Sequence, residues 1–171
     1  MWGSIYFDSA STSNILRYCK VNYSYGIDRL RKDVSSTGAI VLYYSDLLLE
    51  NCIVAKNWRG IETSNSSLVI NNSSLIDNEE VGIMISDKNN ITLTNSIVWG
   101  SFYTIYLYAD QKSVNKYLKI SYSILEKNVY KIKGLNIYDK KPEFIDSEKY
   151  EIVNGSFYSN KGSNGGMIGL R

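Results

Sequence analysis

Histidine is absent from this sequence of 171 residues. That removes the commonest general base, proton shuttle and zinc ligand together, and leaves imidazole-based triads and zinc hydrolase sites little to stand on. Proline occurs once, at Pro142, so almost every backbone N–H is free to join a hydrogen-bond ladder. No apolar run approaches the roughly 20 residues needed to span a bilayer, and the opening Met1-Trp2-Gly3-Ser4 lacks the basic and apolar stretches of a signal peptide. Membrane insertion is not expected. An excess of charge is missing as well: 19 Lys and Arg against 17 Asp and Glu give a net +2, which supplies no attraction to nucleic acid or an anionic surface. Two cysteines, Cys19 and Cys52, are too few for a disulfide scaffold and lack metal-ligand spacing. No metal or other cofactor is expected.

What is present is strand-forming: Tyr, Ile, Val, Ser, Thr and Asn are abundant, with 15 tyrosines. They repeat. AIVLYYSDLLLENCIVAKN from Ala39, GIETSNSSLVINNSSLIDN from Gly60 and GIMISDKNNITLTNSIVWG from Gly82 align at offsets of 21 and 22 residues, a period that signals a solenoid. Each unit has an alternating strand after a small residue, a polar turn, a second short strand, then Asn with Ser or Cys, and a third strand. The pattern extends upstream through Ile5 to Phe7 and Ile15 to Val21, and downstream through Ile105 to Tyr108 and Leu118 to Leu125. An extra stretch at residues 28–37 reads as a loop insertion at one corner.

Stacking the units aligns like with like. Ile5, Ile40, Ile61, Ile83 and Ile105 form one inward column, and Leu16, Leu49, Ile70, Leu93 and Ile120 another. Cys19, Cys52, Ser73, Ser96 and Ser123 fill a small slot, where both cysteines are expected as core thiols, a bond between neighbouring coils being the alternative. Asn51, Asn72 and Asn95 line up as a buried Asn ladder, each amide bonding the next coil's backbone.

These residues resemble the right-handed parallel β-helix family of pectate-lyase-like proteins. WGSIYFDSAS with LRYCKVNYS is similar to a coil of such proteins, NSIVWG with ISYSILE to their final coils, and KPEFID with YEIVNGSFYSNKGSNGGMIGL to a segment that closes the solenoid. The resemblance implies an all-β parallel β-helix of three short strands and about 22 residues per coil. Coils would occupy 1–139 and a closing segment 140–171, which would cover the last coil through Phe144, Ile145, Tyr150, Ile152 and Phe157. Because the coils begin at the first residues, upstream coils of a larger parent chain are expected as partners, and the resemblance implies an extracellular or cell-surface location. The fold hosts polysaccharide lyases, glycosidases and adhesins, so it does not name an activity.

Alternation on the first strand of each coil sends Tyr6, Val41, Tyr43, Glu62, Met84, Tyr106 and Tyr108 outward. Tyrosines on a rigid sheet offer an apolar face and a phenolic hydroxyl to a sugar ring. The expected ligand-binding residues are therefore Tyr6, Tyr43, Glu62, Met84, Tyr106 and Tyr108, with Trp58 and Arg59 at the adjoining corner, and Glu79, Glu80, Phe102 and Tyr103 completing a wall. The expected partner is a polysaccharide or other glycan. A structural or adhesion segment of a larger protein is the alternative. A polysaccharide lyase or glycoside hydrolase ranks third; its only nearby carboxylate pair is Glu62 with Glu79 or Glu80, and Asp28 or Asp33 of the inserted loop would approach from above.

Overall fold

The computed structural model describes residues 2–10, 12–25, 37–108, 118–126 and 132–169. The inserted loop at 28–37, apart from Thr37, lies outside the described residues, and so do Asp28 and Asp33. The architecture is a parallel β-helix of stacked coils. Coil 1 comprises β1 (Ile5–Asp8), β2 (Asn14–Arg17) and β3 (Lys20–Asn22); coil 2, β4 (Gly38–Tyr43), β5 (Asp46–Glu50) and β6 (Ile53–Ala55). Coil 3 comprises β7 (Arg59–Ser64), β8 (Ser67–Asn71) and β9 (Ser74–Ile76); coil 4, β10 (Val81–Ser86), β11 (Asn90–Thr94) and β12 (Ile97–Trp99). In coil 5, β13 (Tyr103–Leu107) is followed by the long β14 (Leu118–Leu125), which continues both the second and the third strand columns, and β15 (Leu135–Tyr138) pairs beyond it.

All pairings between these strands are parallel. First strands stack in the order β1-β4-β7-β10-β13, and the second and third stacks join through β14. The register aligns the two inward columns as the repeat requires: Ile5, Ile40, Ile61, Ile83 and Ile105 on the first strands, and Leu16, Leu49, Ile70, Leu93 and Ile120 on the second. From the second coil on, both columns are buried, and Val54, Leu75, Val98 and Leu125 of the third strands close the same core. Burying one such side chain contributes about 1.5–3 kcal/mol.

Three turns per coil are the difficult part of this fold, because each must reverse the backbone without stranding buried N–H groups. Most corners solve it the same way. One residue takes a left-handed conformation, at Tyr44, Asn65 and Asp87 after the first strands, Tyr18, Asn51, Asn72, Asn95 and Tyr122 after the second, and Tyr23, Lys56, Asp77 and Gly100 after the third. After Tyr18, Tyr23, Tyr44, Asn51, Lys56, Asn65, Asn72 and Asn95 the N–H of the next residue donates to a side chain on the adjacent coil. Ser45 N donates to Ser66 Oγ (3.1 Å) and Ser66 N to Asn89 Oδ1 (3.0 Å) at the first corner. At the second, Cys19 N donates to Cys52 Sγ (3.4 Å), Cys52 N to Ser73 Oγ (3.1 Å), Ser73 N to Ser96 Oγ (3.2 Å) and Ser96 N to Ser123 Oγ (3.2 Å). Each of these hydroxyls and thiols also donates to the carbonyl two residues back, as Ser96 Oγ does to Thr94 O (2.7 Å) and Cys52 Sγ to Glu50 O (3.2 Å). Both thiols are free. Cys52 is fully buried and its pKa is raised by desolvation, whereas Cys19 is partly exposed on the first coil.

The asparagine ladder sits at the third corner, not the second. Ser24 N donates to Asn57 Oδ1 (2.9 Å); Asn57 Nδ2 donates to Asn78 Oδ1 (2.9 Å) and to Val21 O (3.0 Å); Asn78 Nδ2 donates to Val54 O (2.9 Å). Asn51, Asn72 and Asn95 do stack, but not as a ladder of amides. Asn51 and Asn72 leave Oδ1 without a partner among the described residues, and Asn95 turns its amide to Ser163. Their role is conformational, since Asn tolerates the left-handed region better than most residues.

The closing segment also departs from expectation. It does not sit only over the last coil but runs back along the outer face of the third-strand sheet. That face is apolar: Ile53, Ala55, Ile76, Ile97 and Ile124 meet Tyr150, Ile152, Tyr158 and Ile168, with Trp99, Tyr138 and Phe144 at the margin. Polar ties fix its course, with Glu148 bridging Lys20 (3.1 Å) and Lys56 (2.5 Å) of coils 1 and 2. Tyr150 OH donates to Asp77 Oδ2 of coil 3 (3.3 Å), and Ser163 N and Gly169 N donate to Asn95 of coil 4. Ile145 and Phe157, expected among its apolar contacts, are exposed.

Two outcomes follow. Asn78→Ala removes one half of a buried amide pair, taking away the acceptor of Asn57 N and Nδ2 and the donor to Val54 O, and is expected to cost about 2–4 kcal/mol in chemical denaturation, whereas Asn72→Gly, which needs only a left-handed backbone, changes stability by less than about 0.5 kcal/mol; equal costs would refute the division of roles. Tyr150, pushed up to about 12 chiefly by burial and then by the Asp77 charge, holds its proton in the folded state between pH 10 and 12 while the unfolded chain has lost it. Its contribution is present below pH 10 and lost as pH rises through 12. The fall in stability across that window is therefore shallower in Tyr150→Phe than in the natural chain, and identical slopes would contradict this placement.

Candidate functional site

Outward positions of the first strands lie one rung apart, about 4.8 Å in a parallel stack, so residues some 21 positions apart in sequence become neighbours. Tyr6, Val41, Glu62, Met84 and Tyr106 form one such column. The expected exposed ribbon is not what results. Val41 is 3 % exposed and Met84 7 %, because each lies between longer neighbours on the coils above and below, Tyr6 and Glu62 for Val41, Glu62 and Tyr106 for Met84. The aromatics are thereby separated into two groups at opposite ends of the column.

The group on coils 3 to 5 encloses a pocket of about 250 Å³. Val81 and Met84 of β10 supply an apolar floor. Tyr103, Tyr106 and Tyr108 form one wall, and Arg59 with Glu80 the other. The register explains the set: Arg59, Val81 and Tyr103 occupy the first position of β7, β10 and β13 and stack directly. Tyr103 packs on Tyr106 with ring centroids 5.1 Å apart and receives the edge of Phe102 at 4.7 Å, so the tyrosine wall is braced. Tyr108 is 73 % exposed at the rim, its N–H donating to Ile85 O (2.9 Å).

Arg59 is the cation of this pocket, and it is engaged on two sides. Its Nε donates to Glu80 Oε2 at 2.5 Å, and its Nη1 lies 3.9 Å from Glu62 Oε2, which also accepts from Thr37 N at 3.2 Å. The side chain of Arg59 is only 20 % exposed. Glu62 and Glu80 are thus the carboxylates that converge here, but they converge on one guanidinium. Glu79 is exposed and its backbone serves the ladder, its N–H donating to Asn57 O (2.8 Å) and its carbonyl accepting from Phe102 N (3.2 Å).

Of the ligand-binding residues expected from sequence, Arg59, Met84, Tyr106 and Tyr108 line the pocket and Glu62 borders it through Arg59. Tyr6 and Tyr43 belong to coils 1 and 2, away from it, Tyr43 packing edge-on against Tyr44 at 4.6 Å. Trp58 stacks on Tyr25 at 6.2 Å instead of facing the pocket. Val81 was not anticipated; its signal was its place in the same column as Arg59. Among the described residues no group of three or more Cys, Asp or Glu is arranged to hold a metal ion, and no helix is long and apolar enough to cross a membrane.

The sequence model of one family, described as "Right handed beta helix region", matches residues 3–119, well over half of the chain. Neither the curated proteins nor the solved structures gave a match.

Proposed function

The chain belongs to the right-handed β-helix family, and on that scaffold we propose a glycan-binding module, extracellular or at the cell surface, that holds a sugar unit in the pocket of coils 3 to 5. The observation that carries this reading is the tyrosine wall of Tyr103, Tyr106 and Tyr108 facing Arg59 and Glu80 across the floor of Val81 and Met84. Tyrosine presents an apolar face to the CH groups of a sugar and a hydroxyl to its polar edge. Strand-borne rings are also ordered before the ligand arrives, which lowers the entropic cost of binding. At about 250 Å³ the pocket falls below the roughly 300–1,000 Å³ of sites that enclose a drug-sized ligand. It suits one ring of a polymer that continues across the open sheet face.

A catalytic reading is weaker. Of the three candidate carboxylates, Glu62 and Glu80 face Arg59 and Glu79 is exposed and does not line the pocket, whereas glycoside hydrolysis needs two carboxyl groups flanking the scissile bond.

Affinity electrophoresis through gels cast with different polysaccharides, each stained afterward for remaining polymer, tests the proposal. The protein is expected to be retarded by at least one polymer without clearing it. Tyr106→Ala and Tyr108→Ala should each weaken that retardation by roughly tenfold in affinity, the loss typical of an aromatic anchor, and Tyr108 is exposed enough for its substitution to leave the fold intact. Clearing of the polymer would point to an enzyme instead, and no retardation in any gel would favour a structural or adhesion segment.

A further inference from the structure

The charges around the pocket bear on which glycans it takes, and the argument rests on the glycan-binding reading above. Arg59 would ordinarily be the residue to receive a sugar carboxylate, since its planar fork matches that group in bidentate fashion. Here the Nε side of the fork is already in use and its charge is shared between two carboxylates. Glu80 holds Nε at 2.5 Å and Glu62 stands 3.9 Å from Nη1, so one guanidinium faces two carboxylates, and its side chain is only 20 % exposed. An incoming uronate would have to displace Glu80, a partner that is covalently in place, or sit beside it as a like charge in a partly desolvated site. A sugar hydroxyl meets no such opposition: it can donate to a Glu80 oxygen and accept from a tyrosine hydroxyl.

We infer that this pocket selects neutral sugar units and rejects uronates, with the Arg59–Glu80 pair acting as a fixed polar rail for hydroxyl groups rather than as an anion receptor. The pair then determines specificity through what it excludes, a like-charge barrier built into the wall. Because the favoured ligand carries no charge, its affinity should also be insensitive to ionic strength, unlike that of an anionic polymer held by an arginine.

Polymers with the same backbone that differ chiefly in charge provide the test: polygalacturonate beside its methyl ester, and carboxymethylcellulose beside hydroxyethylcellulose, with a neutral galactomannan and a xylan alongside, each at low and at high salt. The neutral polymers are expected to include the ligand, bound at least about tenfold more tightly than any anionic member and equally well at both salt levels. In Glu80→Gln, shown to be folded by circular dichroism and melting, Arg59 is released on one side and retention of the anionic polymers rises at least threefold. Tighter binding of an anionic member by the natural chain, weakened by salt and lost in Arg59→Gln, would overturn this inference while leaving the glycan-binding reading in place. An unchanged rejection of anions in folded Glu80→Gln would also overturn it. No binding to any polymer of the panel would remove the glycan-binding reading itself, and the inference with it.

Discussion

The corner hydrogen bond, an N–H donated to a side chain one coil away, is the interaction on which the rest of this structure depends. Strands stack readily through parallel ladders, but a coil of little more than twenty residues must turn three times, and each turn swings one N–H out of line with the next coil's carbonyls. A buried N–H left without a partner costs about 1–3 kcal/mol, repeated at every corner of every coil. The chain meets the need with columns of small polar side chains: Ser45, Ser66 and Asn89; Cys19, Cys52, Ser73, Ser96 and Ser123; Asn57 and Asn78. Once these are in place, the left-handed conformation of tyrosines at positions 18, 23, 44 and 122, each costing about 1–2 kcal/mol, is held by its surroundings.

Register then follows, and with it the pocket. The small-residue column at the start of the first strands allows coils to approach closely; a Cβ on Gly82 would lie 2.6 Å from Thr104 O and 2.6 Å from Val98 Cγ1. With the coils held in this register, Arg59 falls beneath Val81 and Tyr103, and Glu62 beneath Met84 and Tyr106. The Arg59–Glu80 contact is a consequence of coil geometry, since the two are 21 residues apart and no local element joins them. The cover along the third-strand sheet depends on the same stacking, because Lys20, Lys56, Asp77 and Asn95 must lie in line for one segment to reach all four.

Much of this was legible in the repeat. The Ile and Leu columns and the Cys-Ser slot could be aligned from spacing alone, because those side chains have one place to go when strands alternate. The two asparagine columns could not be told apart in that way. Asn57 with Asn78 and Asn51 with Asn72 share a spacing of 21, and what separates them is whether the side chain or the backbone conformation is in demand, which a period does not encode. Burial of Val41 and Met84 escaped for a related reason: alternation gives direction, whereas exposure depends on the size of the neighbours a coil away. The course of the closing segment had left a trace in β6, β9 and β12, where Ile53, Ala55, Ile76 and Ile97 make the outer face as apolar as the inner one. Strands apolar on both faces need cover on both.

Amide hydrogen exchange, read residue by residue, tests the central claim most directly. The N–H groups of Ser45, Cys52, Asn57, Ser66, Ser73 and Ser96 sit in turns yet donate to side chains of the adjacent coil. They are predicted to exchange as slowly as the strand amides of Ile61 and Leu68, opening only with the coils themselves. Exchange at the rate of ordinary surface turns, with the strands still protected, would show that the corners are not held by these columns and would contradict the account.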